Sequence, residues 1–134
     1  FKPVFTFRND STYNGRANQT VLNMLSVAIA ARGANNTVTT FYIIRNATIT
    51  AGVPNFTNYG TGSCTSWDTA ATAVTWASNT QVIWVGPISE SGQLSLVFAG
   101  VNSVQPGETI TLCSFTTGGA AGVVSGSINS REDQ

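Results

Sequence analysis

Short runs rich in β-branched and aromatic residues recur along the chain and predict strands. They include TVTTFYIIRNATIT, AVTWAS, QVIWVG, QLSLVFAG and ETITLCSF, and several alternate between apolar and polar positions. Turn-forming residues separate them at spacings of about ten residues, as Gln105-Pro106-Gly107 does before ETITLCSF. A last, glycine-weakened run, GVVSGSI, precedes the charged tail SREDQ. The pattern is typical of an all-β protein, an antiparallel β-sandwich of jelly-roll or immunoglobulin-like type.

The segment TVLNMLSVAIAARG is ambiguous between helix and strand. Asn18 or Thr20 suits the N-cap of a helix that Gly33 would end. A central strand of a packed sheet is also apolar on both faces. The β-rich neighbours favour the strand.

The first eight residues, FKPVFTFR, predict a strand with Phe1, Pro3, Phe5 and Phe7 on one face. The chain then divides into this strand (1–8), a polar linker (9–20) and a sandwich domain (21–134). The strand has two interpretations. It is either the first strand of its own sandwich, or a donor strand that completes the sheet of a neighbouring subunit.

Donation of the strand would produce an open, head-to-tail filament, because each subunit gives its strand to one neighbour and accepts one from another. Burial of three phenylalanine side chains contributes about 5 to 8 kcal/mol before ordering costs. The runs QLSLVFAG and ETITLCSF are candidate walls of the acceptor groove. In this interpretation Phe1, Pro3, Phe5 and Phe7 form the subunit interface.

The amino-acid composition argues against nucleic-acid binding and against histidine-based catalysis. The 134 residues suit one domain, the charged fraction is 9%, the net charge is zero and histidine is absent. We therefore expect no nucleic-acid partner, which needs a basic surface, and no catalytic site built on histidine. Asp68 with Glu90 or Glu108 is a formal glycosidase pair, but nothing in the spacing supports it. We expect no enzyme activity, no metal and no cofactor apart from N-linked glycans.

The chain is expected to be extracellular or at a cell surface. Its longest apolar stretch, VLNMLSVAIAA, is too short to span a membrane, so no direct membrane insertion is expected. No signal-peptide pattern is present, which predicts that an export signal has already been removed. Five Asn-X-Ser/Thr sequons within the first 57 residues predict glycosylation at Asn9, Asn18, Asn35, Asn46 and Asn55.

Two cysteines and three tryptophans complete the candidate residues. A Cys64–Cys113 disulfide would close a loop of about 50 residues and stabilise the fold by roughly 4 kcal/mol. The alternative is two buried free thiols. Trp67, in a Ser/Thr-rich loop, is either a possible ligand contact or a side chain packed beneath the proposed disulfide, whereas Trp76 and Trp84 lie in apolar runs and suit the core.

The opening strand, the sequons and the β-pattern together resemble donor-strand-complemented filament subunits. The glycosylated thread pilins of acid-loving archaea are the more similar group, and bacterial chaperone–usher pilins are more distant. Unlike bacterial pilins, this chain has no cysteine before Cys64 and no aromatic residue near Gln134.

The resemblance implies a structural subunit of an extracellular, glycosylated filament that serves adhesion or cell–cell contact, with identical subunits as partners. The alternatives are a monomeric binding module (an adhesin, an S-layer or envelope-anchoring domain, or a carbohydrate-binding domain) and a viral surface or capsid jelly roll.

Overall fold

The computed structural model describes residues 1–32, 37–89, 91–98, 102–117 and 123–133. These residues form fourteen strands and one 3-10 turn at Asn79–Gln81. The strands are β1 (Lys2–Asn9), β2 (Thr12–Tyr13), β3 (Arg16–Ala17), β4 (Val21–Arg32), β5 (Val38–Arg45), β6 (Thr48–Ala51), β7 (Thr57–Asn58), β8 (Thr65–Asp68), β9 (Ala73–Thr75), β10 (Val82–Ser89), β11 (Ser91–Val97), β12 (Ser103–Val104), β13 (Thr109–Thr117) and β14 (Val123–Asp133).

The all-β prediction is confirmed. The strand pairs of the described residues are antiparallel and form two large sheets and two small two-stranded sheets, β2–β3 and β6–β9. The main sheet has the order β10-β5-β13-β1-β8-β7. In the second sheet, β4 pairs with β14 along one edge and with β11 and β12 along the other.

The ambiguous segment is the long strand β4, as its neighbours indicated. Its side chains alternate, with Leu22, Met24, Val27 and Ile29 buried toward the main sheet. β14 pairs with β4 from Arg32 to Val21, so β4 is hydrogen-bonded on both sides. Paired edges satisfy the backbone polar groups of an apolar strand, which a buried isolated strand could not do.

One core fills the space between the two large sheets. Phe7, Phe41 and Leu112 project from the main sheet and meet Leu22 and Val27 of β4. All five side chains are buried. Close packing of the sheets is helped by Gly126 on β14, where a Cβ atom would overlap a methyl group of Leu112.

Part of the other face of the main sheet is covered as well. The two-stranded β6–β9 sheet supplies Val74, which packs with Ile44 and Cys113 in a second buried cluster, and Trp76 lies against this cluster. In the sequence of β13, Thr111 and Cys113 alternate with Ile110 and Leu112, which is the pattern of a strand with one polar face. Both are nevertheless buried, because the β6–β9 sheet adds a partial third layer.

The chain begins inside the main sheet. β1 lies between β13 and β8 of its own chain and is antiparallel to both. Of the two candidate groove walls, ETITLCSF is β13 and pairs with β1. QLSLVFAG contributes β11, which belongs to the second sheet.

A β-bulge divides the apolar face predicted for residues 1–8. The register changes between Pro3, opposite Cys113, and Phe5, opposite Leu112. Phe5 and Phe7 therefore face the core between the sheets, whereas Phe1 and Pro3 belong to the outer face. The prediction of one shared face is wrong, because strict alternation holds only without an inserted residue.

The predicted linker contains a small hairpin, β2–β3, within residues 9–20. Asn14 and Gly15 connect its strands with positive φ values of 51° and 74°. Two successive residues with positive φ are the signature of a type I′ turn, for which Asn-Gly is the preferred pair.

Candidate functional site

An open cleft lies between the inner face of the main sheet and β14, with a volume of about 600 Å³. We name it the β14 cleft. Phe5 and Phe7 of β1, Trp67 of β8 and Ile128 of β14 form its apolar lining, and Tyr59 stands at its margin. The volume and the largely apolar lining are in the range of small-molecule sites.

Strand register explains why these side chains meet. Phe7 is directly opposite Trp67 in the β1–β8 pair, so the two side chains share the inner face. Trp67 is also opposite Thr57, and β7 ends at Asn58, which leaves Tyr59 beside Trp67. The two ring centroids are 6.4 Å apart with an interplanar angle of 42°.

One carboxylate closes an end of the cleft. Oε1 of Glu132 accepts hydrogen bonds from the Ser63 hydroxyl at 2.5 Å, the Thr65 hydroxyl at 2.9 Å and the Cys64 N–H at 3.2 Å. These bonds join β14 to the segment before β8. The tail SREDQ was expected to follow the last strand. It instead continues β14, which pairs with β4 up to Asp133. Nothing in the sequence distinguishes Glu132 from an ordinary surface acid.

Trp67 is the candidate ligand contact that the structure brings into a cleft, and its role in binding stays a prediction. Trp84 packs against the main core and Trp76 against the outer cluster, as their apolar surroundings suggested. Tyr59 was not predicted. Its position depends on where β7 ends, which the loop sequence does not reveal.

The four candidate interface residues are divided between two faces. Phe7 is 3% exposed in the core, and Phe5 is partly buried beside it in the β14 cleft. Phe1 is 45% exposed on the outer face and Pro3 is partly buried. The ring of Phe1 contacts those of Trp76, Tyr42 and Phe115, with centroids 4.6, 5.2 and 5.4 Å away.

Two of the five sequons are incompatible with glycosylation of the folded domain. Asn9 is fully buried, and its Nδ2 donates to the carbonyl oxygens of Thr20 at 2.8 Å and Val104 at 2.9 Å. Asn18 is 7% exposed, and its Nδ2 donates to Oδ1 of Asn9 and to the Asp10 carbonyl, both at 2.7 Å. A glycan is attached at this nitrogen, so the expectation for Asn9 and Asn18 is corrected.

The remaining sequons differ from these two. Asn46 and Asn55 are exposed, so their glycosylation stays a prediction. Asn46 adopts a positive φ of 51° and accepts a hydrogen bond from the Thr109 N–H through Oδ1. Asn35 lies outside the described residues.

The predicted disulfide is absent: Cys64 and Cys113 are free, buried thiols. Register gives the reason. Thr65 is opposite Asn9 at one end of β1, whereas Cys113 is opposite Pro3 near the other end. Six residues of strand separate these positions by about 20 Å, far more than the Cα separation of roughly 7 Å that a disulfide tolerates. Burial raises the pKa of Cys113 to about 12, and burial followed by the Glu132 charge raises that of Cys64.

The other carboxylates serve local structure. Asp68 is buried and accepts hydrogen bonds from the backbone N–H groups of Asn55, Ala70 and Ala71. Glu108 forms an ion pair with Arg45 at 2.6 Å. Glu90, the third acid considered, lies outside the described residues.

In the described part of the chain, the Cys, Asp and Glu side chains do not assemble in groups of three or more that could hold a metal ion. This part of the chain also contains no helix with the length and apolarity needed to cross a membrane.

No protein-family model, no curated protein and no solved structure matches this chain, so its function has to be inferred from the geometry of the molecule.

Proposed function

We propose that the protein is a structural subunit that assembles head to tail by exchange of β1, forming an extracellular filament for adhesion or cell–cell contact. The observation that carries the proposal is the position of β1. β1 lies between β13 and β8 in the interior of a six-stranded sheet. Removing it would leave β13 paired only with β5 and β8 paired only with β7, and would expose the site of Phe7, which is the form of an acceptor groove.

Exchange preserves the strand pairing of β1, although it removes the hydrogen bond from Asn18 of the linker to Asn9. A copy of β1 from a neighbouring chain would make the same ladders with β13 and β8 and bury the same phenylalanine side chains. The closed monomer and the exchanged polymer therefore differ mainly in the linker and in the entropy cost of association. Because that cost depends on concentration, high protein concentration favours the polymer.

The linker has the reach that exchange needs. The β2–β3 hairpin is only two residues long in each strand. Opening it would extend residues 10–19 to about 35 Å. The Asn-Gly turn acts in the opposite direction, because it shortens the linker and favours the closed monomer.

An exposed aromatic patch gives the proposal a second support. Phe1, Phe115 and Val85 are each about half exposed and lie on the outer face near Tyr42 and Trp76. Apolar patches of this kind are typical of protein contact surfaces. A second copy of the chain is the partner that the proposed filament supplies. The finer classification, a jelly-roll or immunoglobulin-like sandwich completed by a donated strand, belongs to the same proposal, as do glycosylation at Asn46 and Asn55 and the resemblance to archaeal thread pilins.

A cysteine pair tests strand exchange directly. Thr6 and Thr111 face each other across β1 and β13, with their hydroxyl oxygens 2.8 Å apart. Thr6→Cys combined with Thr111→Cys places two thiols within disulfide reach. The double variant is unfolded, refolded at low and at high protein concentration, oxidised and separated on a non-reducing gel.

We expect an internally linked monomer from the dilute sample and a covalent ladder from the concentrated one. Each single variant serves as a control and should give no ladder. If the concentrated double variant yields only the internally linked monomer, strand exchange is refuted.

That negative result would favour a second candidate function, a monomeric extracellular binding module. The β14 cleft is the specific observation behind this alternative, since it combines an apolar lining with one exposed aromatic side chain.

A further inference from the structure

We propose that the β14 cleft binds a neutral saccharide, with a pyranose ring against Tyr59 and Trp67. This inference goes beyond the filament proposal and does not depend on it. Phe5 and Phe7 line the cleft whether β1 comes from the same chain or from a neighbouring subunit.

The aromatic pair provides the first argument. Tyr59 is 62% exposed, so burial in the core does not explain its position. Its ring is tilted by 42° to that of Trp67, and the two rings border one open cleft. Two inclined aromatic surfaces suit the C–H faces of sugar rings, which are apolar while their hydroxyl groups point to the sides.

The polar lining provides the second argument. Asn129 and Ser130 are exposed along β14, so an amide and a hydroxyl group stand beside the aromatic surfaces. Both groups donate and accept hydrogen bonds, as sugar hydroxyl groups require. A purely hydrocarbon ligand would leave these groups without partners at a desolvation cost.

Charge provides the third argument. Glu132 is the one charged side chain that lines the cleft in the described part of the chain. Its Oε1 already accepts three hydrogen bonds from residues 63–65. With no cation in the lining, an anionic ligand would be repelled by Glu132, and a neutral polyhydroxylated ligand fits best.

Binding is tested by isothermal titration calorimetry with cellotriose, maltotriose, mannotriose and chitotriose as separate probes. The protein is the internally linked monomer of the Thr6→Cys, Thr111→Cys variant, in which β1 is held in its own sheet. We expect at least one trisaccharide to bind. Tyr59→Ala should weaken that binding about tenfold, the order of effect of one lost stacking contact.

The controls separate stacking from other effects. Tyr59→Phe keeps the ring and should retain most of the affinity. Phe115→Ala removes a similarly exposed aromatic side chain from the outer face and should leave the dissociation constant unchanged. Because the linked monomer cannot exchange strands, a result here says nothing for or against polymerisation.

Two results would overturn the inference. One is the absence of heat with all four trisaccharides. The other is binding that Tyr59→Ala leaves unchanged, which would locate the sugar elsewhere. If the trisaccharides fail while an extended apolar peptide binds in a Tyr59-dependent manner, the cleft is a peptide groove and the saccharide assignment is wrong.

Discussion

Asn9 links three parts of the chain through its side chain, and its removal should cost much of the stability of the domain. In Asn9→Ala, the Thr20 and Val104 carbonyl groups each lose a donor, and Asn18 loses an acceptor. Because these groups lie in the buried interior, each unsatisfied carbonyl costs about 1 to 3 kcal/mol. We expect the free energy of unfolding to fall by about 3 kcal/mol in total.

The measurement is urea unfolding followed by tryptophan fluorescence and circular dichroism. With a slope of about 2 kcal/mol/M for a domain of this size, the midpoint should fall by about 1.5 M. Asn55→Ala is the matched control, because it removes another sequon asparagine whose side chain is exposed. Its effect should stay within about 0.5 kcal/mol.

Asn9→Asp provides a second test of the hydrogen bonds that the Asn9 side chain donates. It keeps the size of the side chain but replaces the amide donor with an oxygen that faces two carbonyl oxygens. At neutral pH we expect it to be less stable than Asn9→Ala. If Asn9→Ala is as stable as the unmodified protein, or if Asn9→Asp is tolerated, the buried hydrogen-bond network described for Asn9 is wrong.

Four further outcomes are expected. In protein isolated from its natural source, glycopeptide mass spectrometry should find no glycan on Asn9 or Asn18, and an occupied Asn9 in folded protein would contradict the buried network. Because burial raises the pKa of Cys113 to about 12 from 9.0, the unfolded chain loses this proton first as the pH rises. Cys113 should therefore cost about 4 kcal/mol of stability between about pH 9 and pH 12, and Cys113→Val should lose correspondingly less stability over this range in alkaline unfolding experiments, with the smaller contribution of Cys64 remaining. Gly126→Ala should destabilise by about 1 to 3 kcal/mol through its clash with Leu112, whereas Gly60→Ala, with open space around it, should be nearly neutral in the same urea assay. Gly15→Val places a β-branched residue at a φ of 74°, which should open the β2–β3 hairpin and increase the covalent ladder formed by the Thr6→Cys, Thr111→Cys pair.

The strand content was predictable because alternation and β-branched residues report directly on a pleated, partly buried backbone. Even so, Thr111 and Cys113 looked like a polar face. Their burial depends on the β6–β9 sheet, whose strands come from other parts of the chain. Threonine suits both a solvent-exposed strand and a buried one with a hydroxyl partner, such as the Thr6–Thr111 pair. Local pattern could not distinguish the two.

The candidate site was predictable only in part. Trp67 was singled out because an aromatic residue in a polar loop needs an explanation. Tyr59 and Glu132 depend on register and on contacts between distant segments, so no local signal marked them. The sequons show the same limit, since Asn9 and Asn46 carry the same motif but differ completely in burial. The prediction of a polar linker did not include the β2–β3 hairpin, although Asn14-Gly15 is a residue pair that favours one.

The two proposals, strand exchange and saccharide binding, together predict that the two processes are coupled, because both use β1. A ligand in the β14 cleft would contact Phe5 and Phe7 on β1 and Trp67 on β8 together. It therefore stabilises β1 in its place by RT ln(1 + [L]/Kd), about 2.7 kcal/mol at a ligand concentration a hundred times Kd. Since β1 has to leave the sheet before it can exchange, ligand added to closed monomers should slow polymerisation about a hundredfold. The same ligand added to filaments should slow their dissociation by a similar factor. The same ligand would thus keep monomers monomeric when it is added first, and keep filaments assembled when it is added last. This dependence on the order of addition is expected only if the exchanged strand also forms a wall of the binding site.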